Sequence, residues 1–186
     1  MLKSAELVFG REGFQAASMD EIARRSGITK ALLYQYFGSK EGLYDAAVER
    51  GRAGLLGALR DRVSSVEAGP PRLVAFVQGY FDFVEENRGA RWLLYGEASI
   101  ASANAMRQRN AELIAGLLRD DAETQGREVD ADSLQILAHD LVGAGEQVGR
   151  WWVERDDVPK ETVVKLFVGM AGGAIDAVFR AAPRRR

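Results

Sequence analysis

Cysteine is absent from this chain of 186 residues, and histidine occurs once, as His139. The first absence excludes disulfides and thiolate metal sites, and the second excludes a site built from several histidines. No run of about eighteen apolar residues is present, so we expect no membrane span. The N-terminus carries no apolar export segment, so we expect a cytoplasmic protein. The sequence predicts no metal site and no cofactor.

Net charge is also low, because 25 basic residues are set against 27 acidic ones. A strongly basic chain is typical of proteins that bind nucleic acid without sequence preference, and this chain lacks that signature. A protein that reads one DNA sequence needs only a locally basic face, so the charge does not exclude DNA binding. Hydrophobic residues make up 47% of the chain, enough for a substantial core.

Helical periodicity runs through almost the whole chain, and no alternating pattern typical of strands is present. The sequence therefore predicts an all-α fold of about nine helices. We expect a three-helix head over residues 1–46 and a helical-bundle body over 47–186. The first helix is expected from residue 2 to about 10–13. The later helices are expected at 18–25, 29–37, 39–66, 72–86, 91–102, 105–125, 131–155 and 160–181.

The most informative pattern lies in residues 18–37, where two short helices are joined by a tight turn. Ser18 and Glu21 have the spacing of a capping box, and Thr29 can cap the second helix. Gly27 suits the left-handed conformation that such a turn requires. Together these features predict a helix-turn-helix unit. Its outward face carries groups that can reach bases and phosphates, although spacing alone also allows a helical protein that never touches DNA.

The sequence of residues 9–43 is FGREGFQAASMDEIARRSGITKALLYQYFGSKEGL. In details such as Gly13-Phe14, Gly27-Ile28-Thr29-Lys30, Tyr36-Phe37 and Ser39-Lys40-Glu41 it resembles the DNA-binding head of the tetracycline-repressor (TetR) family. The resemblance covers about the first fifty residues, and the rest of the chain is similar to the family only in length and helical architecture. It implies a homodimeric regulator that binds double-stranded DNA and a small-molecule effector.

By this resemblance the second short helix enters the major groove. Lys30 is then expected to reach guanine or a phosphate, and Gln35 an adenine edge. Ala31 is small enough to approach a thymine methyl. The helix that begins at Ser39 offers free N–H groups to a phosphate. The predicted DNA-binding residues are Ser18, Thr29, Lys30, Ala31, Tyr34, Gln35, Tyr36, Ser39 and Lys40.

Two features depart from the family pattern. Leu32 stands where family members often have Thr or Ser, so one polar contact to DNA is expected to be missing. Family members also commonly carry a basic arm before the first helix, whereas this sequence begins almost inside that helix, so the arm is either absent or lies before residue 1. For the sequence as given, we expect fewer phosphate contacts and a weaker dependence of DNA affinity on salt.

Aromatic residues are concentrated after the break at Gly69-Pro70-Pro71. The helix predicted at 72–86 is apolar on two faces, which is typical of a helix that is buried or lines a cavity. The resemblance implies an effector pocket in this body, mostly apolar with a few polar groups. Plain core packing is the alternative for each residue, and a surface position is the alternative for the histidine. The candidate pocket residues are Phe76, Tyr80, Trp92, Tyr95, Met106, His139 and Trp152.

The last two predicted helices contain glycines spaced four residues apart. Glycine inside a helix costs about 1 kcal/mol relative to alanine, so its repeated use suggests that backbones approach closely. A four-helix bundle formed by two subunits would need this, and internal packing is the alternative. The predicted dimer residues are Leu141, Gly145, Val148, Gly149, Phe167, Gly169, Met170, Gly173, Ala174 and Ala177.

We therefore expect a ligand-responsive repressor that binds a palindromic operator with half-sites about 34 Å apart. Its effector is expected to be small and largely apolar or aromatic. An enzyme is not expected, because no Ser/His/Asp set, phosphate loop or metal cluster is present. Ile136 stands where a Glu-x-x-His metal motif would need its glutamate. The other open class is a helical adaptor whose head binds protein.

Overall fold

The computed structural model describes residues 1–86 and 100–184, and helices make up most of both ranges. The predicted all-α fold is confirmed, and these ranges contain no strand, only an isolated bridge between Arg127 and Arg184. The helix predicted at 91–102 lies mostly outside the described residues. The eight helices of the described ranges are α1 (Leu2–Ala16), α2 (Met19–Ser26), α3 (Lys30–Phe37), α4 (Lys40–Ser64), α5 (Pro70–Glu86), α6 (Ile100–Thr124), α7 (Ala131–Trp152) and α8 (Lys160–Ala181).

The first helix is interrupted where the sequence predicted its end. The prediction placed that end between Gly10 and Gly13, and α1 consists of two helical segments that meet at Gly13. Gly13 is not helical itself, with φ 74° and ψ 168°, and a short second segment continues to Ala16. A residue without a Cβ atom adopts this positive φ without a steric clash. The chain can therefore turn within one residue and resume the helix.

The described residues form two compact units. The first contains Met1–Gly57 with Glu86 and residues 100–104, and the second contains Ala58–Glu85 and residues 105–184. Helix α4 contributes residues to both units. The head expected at residues 1–46 lies within the first unit, and its boundary stays a prediction.

One apolar cluster in the first unit draws on α1, α2, α3 and α4. Phe9 of α1 is fully buried and meets Tyr44 of α4 edge to face, with ring centroids 5.0 Å apart. Ile22 of α2 and Leu33 of α3 are also fully buried. Because Leu33 packs α3 onto this apolar cluster, the opposite side of the short helix lies at the surface.

The second unit has an apolar core between α6, α7 and α8 and an aromatic cluster around Phe81. The Phe81 ring lies 5.7 Å from the rings of both Trp152 and Phe167. Gly79 allows α5 to approach the end of α4, since a Cβ atom there would lie 2.8 Å from a methyl carbon of Leu59. These contacts fix α5 against the last turns of α4.

Helix α8 is long and apolar enough to cross a membrane, judged by length and composition, and it is the one such helix in the described residues. Core helices of proteins that never enter a membrane pass the same test, so this is weak evidence for a span. Only 22% of its most apolar window is buried inside the chain. The expectation of no membrane span stays a prediction.

Candidate functional site

The start of α2 is capped by a hydroxyl, as predicted, but not by the predicted box. The Ser18 Oγ accepts a hydrogen bond from the backbone N–H of Asp20, at 3.2 Å. Glu21 does not reach back to complete the box. Its carboxylate accepts hydrogen bonds from Nε of Arg24 at 3.0 Å and of Arg25 at 2.7 Å, and these bonds lower the pKa of Glu21. The capping-box prediction was therefore wrong in its second half.

The turn between α2 and α3 has the predicted chemistry. Gly27 adopts the left-handed conformation with φ 68°, and the N–H of Ile28 donates to the Ala23 carbonyl at 3.1 Å. The Thr29 Oγ1 then accepts from the N–H of Leu32 at 3.2 Å and caps α3. Each cap satisfies a backbone group that the helix end leaves without a partner. The two helices are thus joined as a helix-turn-helix.

The outer face of α3 is polar and exposed. Leu33 points into the core, whereas Tyr34 and Tyr36 keep 41% and 64% of their surfaces exposed. Most of the predicted DNA-binding residues are brought together on this face and at its two ends, and Ser39 and Lys40 are half-buried. The exposed members are Ser18, Thr29, Lys30, Ala31, Tyr34, Gln35 and Tyr36.

Two lysines of this surface have protein partners that the sequence did not reveal. The Lys30 Nζ lies 2.8 Å from a carboxylate oxygen of Asp20, and this contact raises the pKa of Lys30. The Lys40 Nζ donates to the carbonyl of Gln15 at 3.1 Å and lies 4.9 Å from the centre of the Phe14 ring. Lys40 is therefore positioned by α1, and Lys30 by α2.

The junction between α3 and α4 is tight. The Ser39 Oγ accepts from the N–H of Gly42 at 3.0 Å, which caps α4 as predicted. Gly38 before it has φ 74°. A Cβ atom on Gly42 would collide with the carbonyl oxygen of Phe37, so only glycine fits this first turn. The junction fixes where the end of the polar helix lies relative to α4.

The predicted pocket residues are not brought together. Phe76 lines a small cavity among α5–α8, of about 70 Å³. Tyr80 donates its hydroxyl to the Gly145 carbonyl at 3.1 Å, and the fully buried Trp152 donates its indole N–H to the Val158 carbonyl at 2.8 Å. Trp152 is a core residue and Tyr80 is half-buried, and the polar atoms of both are already bonded. Met106 is buried and His139 is exposed, so His139 lies outside this cavity, and Trp92 and Tyr95 lie outside the described residues.

The same cavity is lined by two charged residues that sequence reasoning missed. Arg72 of α5 and Asp121 of α6 face each other there, with Nη1 and Oδ1 3.0 Å apart. Burial raises the pKa of Asp121, and the backbone N–H of Gly69 and the charge of Arg72 oppose that shift. No local pattern marks the pair, because the two residues are far apart in the chain.

The predicted dimer residues divide into an inner and an outer group. Gly145, Gly149 and Phe167 are buried within the single chain, and a Cβ atom on Gly145 would lie 3.7 Å from the Phe167 ring. They serve internal packing, which was the alternative reading. Met170, Gly169, Gly173 and Ala177 are exposed, while Leu141, Val148 and Ala174 are half-buried. Ile136 and Leu166, which were not predicted, are also exposed, at 71% and 62%.

Two family models match the chain. "Bacterial regulatory proteins, tetR family" covers residues 1–47, and "Tetracyclin repressor-like, C-terminal domain" covers residues 71–171. A curated relative, the HTH-type transcriptional activator FasR of Mycolicibacterium smegmatis, is 29% identical over 180 residues, which span 96% of this chain and 82% of that protein.

Solved structures agree with this similarity. A TetR-like transcriptional regulator from Rhodococcus sp. RHA1 superposes with a TM-score of 0.65 and 29% identity over 91% of this chain and 90% of that one. The fatty acid degradation regulator FadR from Bacillus halodurans gives a TM-score of 0.75 over 92% of this chain and 96% of its own, at 17% identity. At that identity the second likeness shows the fold alone.

Proposed function

The chain belongs to the TetR family of bacterial regulatory proteins, and from this premise we propose that it is a cytoplasmic, ligand-responsive repressor that binds a palindromic operator as a homodimer. Membership makes it a DNA-binding transcription regulator, which is not a class of enzyme. The observation that carries the proposal is the exposed polar face of α3, anchored from below by Leu33.

The proposed reading surface divides by chemistry. Lys30, Ala31 and Gln35 contact base edges in the major groove, where a lysine suits guanine and an amide suits adenine. Tyr34 and Tyr36 contact phosphates, which fixes the register but carries no sequence information. Ser18, Thr29, Ser39 and Lys40 support the helix ends and offer further phosphate contacts.

The proposed dimer uses the outer faces of α7 and α8. Ile136, Leu166 and Met170 are large apolar side chains that remain more than half exposed. Exposed apolar side chains on adjacent helices favour an interface. Gly169 and Gly173 leave part of that face without projecting side chains, so that another helix could approach closely. A twofold axis through this surface would pair two copies of α3, so that each reads one half-site about 34 Å from the other.

The proposed regulation is a shift between two conformations. An effector that binds better to a form with wrongly spaced reading helices lowers operator affinity by its difference in affinity, typically about 1–3 kcal/mol. Helix α4 belongs to both units and is the proposed connection. The relative FasR is named an activator, so a promoter–reporter assay must decide the sign of regulation here.

The proposal is tested with a variant that lacks two of the proposed DNA-contacting side chains of α3 but keeps the fold. A variant with Lys30→Ala and Tyr34→Ala should lose binding to a duplex that the wild-type protein selects, measured by fluorescence anisotropy. Helical content and sedimentation should stay unchanged, because both side chains are exposed. Arg155→Ala, which removes an exposed basic residue after α7, is the matched control and should bind normally. Unchanged DNA binding by the double variant would remove α3 as the reader, whereas a wild-type protein that selects no duplex would favour the adaptor.

A further inference from the structure

The apolar cavity in the second unit lies among α5, α6, α7 and α8. Carbon atoms of side chains such as Phe76, Leu118 and Phe167 make most of its wall. Its volume is about 70 Å³, which exceeds the space that one water molecule needs. Among the residues that the structure describes, Arg72 and Asp121 are the only charged ones that line it. The cavity therefore combines an apolar interior with one charged end.

Three polar atoms at the charged end lack a hydrogen-bond partner among the described residues. Nε and Nη1 of Arg72 and Oδ1 of Asp121 are buried, and none of them has a hydrogen-bond partner in the described part of the chain. The 3.0 Å contact between Nη1 and Oδ1 is an ion pair without hydrogen-bond alignment. Buried polar atoms are nearly always hydrogen-bonded, because leaving one unbonded is costly. A purely structural pair would be expected to bond these atoms, whereas a ligand could supply the missing partner.

A second space adjoins the same arginine. Arg72 and Leu117 also line an open cleft of about 450 Å³ on the surface of this unit. Two more arginines, Arg60 and Arg119, and two acidic residues, Glu112 and Asp120, also line the cleft. The cleft is thus lined by three arginines and two acids, and Arg72 also pairs with Asp121 of the adjoining cavity. A molecule whose apolar part fills the cavity would thus place its polar end at Arg72, beside the cleft.

We infer that, in the regulator proposed above, this cavity is the effector site and that its ligand is an amphipathic carboxylate. The apolar chain lies against Phe76 and its neighbours, and the carboxylate accepts hydrogen bonds from the guanidinium of Arg72. Arginine is suited to this role, because its charged donors bond carboxylates more strongly than neutral donors do. The inference names the ligand class of the proposed function and rests on it.

Binding should involve a proton at Asp121. Arg72 and Asp120 are the charged groups that face this carboxyl, and burial already raises its pKa. A second carboxylate on Arg72 disfavours the ionised form of Asp121 further. Asp121 is then expected to take up a proton when the ligand binds. Affinity should therefore fall as the pH rises, at pH values where the ligand stays ionised.

The charged end is placed where it can move the last turns of α4. Arg72 lies in the first turn of α5, and α5 packs closely on α4 at Gly79 and Leu59. An ion pair of 3.1 Å between Arg62 and Asp82 also joins the two helices. A ligand that draws Arg72 away from Asp121 would shift α5, and these contacts would carry the shift to α4.

The test uses sodium salts of straight-chain carboxylates from butanoate to decanoate, titrated calorimetrically into the full chain without DNA. We expect affinity to rise about fourfold per added methylene until the cavity is full, as apolar burial requires. Hexanol, which lacks the charge, should bind at least about tenfold more weakly than hexanoate. Failure of every carboxylate to bind, or equal binding of hexanol and hexanoate, would overturn the inference.

Variants separate this role from a structural one. Arg72→Leu together with Asp121→Leu removes both charges and avoids leaving one buried alone, so the fold should be retained. This variant should lose the preference for hexanoate over hexanol and still bind hexanol. Arg107→Gln, which alters a surface pair with Glu146, is the matched control and should keep the preference. A preference that survives the double change would contradict the assignment.

A separate assay distinguishes failure of the site from failure of the proposed function. Operator binding without any carboxylate tests the regulator, and carboxylate binding without DNA tests the cavity. Operator binding with no carboxylate binding overturns the inference alone. Carboxylate binding through Arg72 with no binding to any duplex overturns the regulator and leaves the cavity as a ligand site.

Discussion

The ammonium group of Lys30 lies 2.8 Å from the carboxylate of Asp20, and this contact ties the first residue of α3 to the first turn of α2. Both side chains are largely exposed, on the face proposed to meet DNA. Lys30, which is expected to contact a base or a phosphate, is therefore paired with Asp20 in the protein without DNA. The negative charge of Asp20 would repel the phosphates of DNA. On binding DNA, Lys30 would have to leave Asp20 for a base or a phosphate.

Asp20→Asn should strengthen operator binding. The change releases Lys30 and removes a negative charge from the DNA-facing surface, and an exposed pair of this kind adds little to stability. We expect about fivefold tighter binding at fixed salt, measured by fluorescence anisotropy. Asp61→Asn, which makes the same charge change on α4, is the control. Weaker binding by Asp20→Asn would mean that Asp20 positions Lys30 for DNA instead of competing with it.

Gly42→Ala should destabilise the first unit and weaken DNA binding. The new methyl group would collide with the backbone carbonyl of Phe37, which cannot rotate away as a side chain could. We expect a loss of about 1–3 kcal/mol in the free energy of unfolding, measured by urea denaturation. Gly54→Ala on the same helix meets no atom within 4 Å and should stabilise by up to about 1 kcal/mol. Equal effects would show that the junction is not tight.

The cap at the start of α7 should make part of the stability depend on pH. Asp130 accepts from the N–H of Ser133 at 2.9 Å and from its hydroxyl at 2.7 Å, and these bonds lower the pKa of Asp130. A lowered pKa stabilises the folded state above the ordinary aspartate pKa of about 3.9. That contribution is lost as the pH falls through the lowered value.

Asp130→Ala should therefore lower the melting temperature at neutral pH by about 2–4 °C. The difference from wild type should shrink as the pH drops below about 4. Thermal melts followed by circular dichroism at several pH values provide the measurement. Asp140→Ala, at an exposed position in the middle of α7, should show no such convergence. A difference that persists in acid would show that the cap does not require the charged carboxylate.

Met170→Lys should dissociate the proposed dimer. Met170 is 61% exposed in the single chain, and the proposed interface would bury it. A lysine there would become a buried charge without a partner, and the dimer dissociation constant should rise at least about a hundredfold. Sedimentation velocity measures this directly. Gln108→Lys, on the exposed side of α6, should remain dimeric. A wild-type monomer at high concentration would contradict the interface itself.

The head of the protein could be predicted because its signals are local. Gly27 and Thr29 each act within a few residues, and the structure shows the turn and the cap expected of them. Glu21 was predicted wrongly, although it is equally local, because two arginines one turn later compete for its carboxylate. The spacing of residues along the sequence shows which groups can form a hydrogen bond, but it does not show which of several possible partners each group binds.

The body could be predicted only in outline, because its contacts join distant parts of the chain. Helix positions followed from periodicity, but periodicity cannot tell which apolar face meets another helix. Trp152 was expected in a pocket and is core, while Gly145 was expected in the dimer and packs on Phe167. Arg72 and Asp121 carried no signal, since their meaning depends on a cavity that exists only after folding.

The central claim is that two copies of α3 read the two halves of one DNA site. Selection of bound duplexes from a random pool by the purified wild-type protein tests it most directly. If two copies of α3 bind one site, we expect the selected duplexes to share a palindromic consensus with half-sites about one helical turn apart. The consensus should disappear when the selection is repeated with the Lys30→Ala and Tyr34→Ala double variant. A consensus without twofold symmetry, or no enrichment over the starting pool, would contradict it.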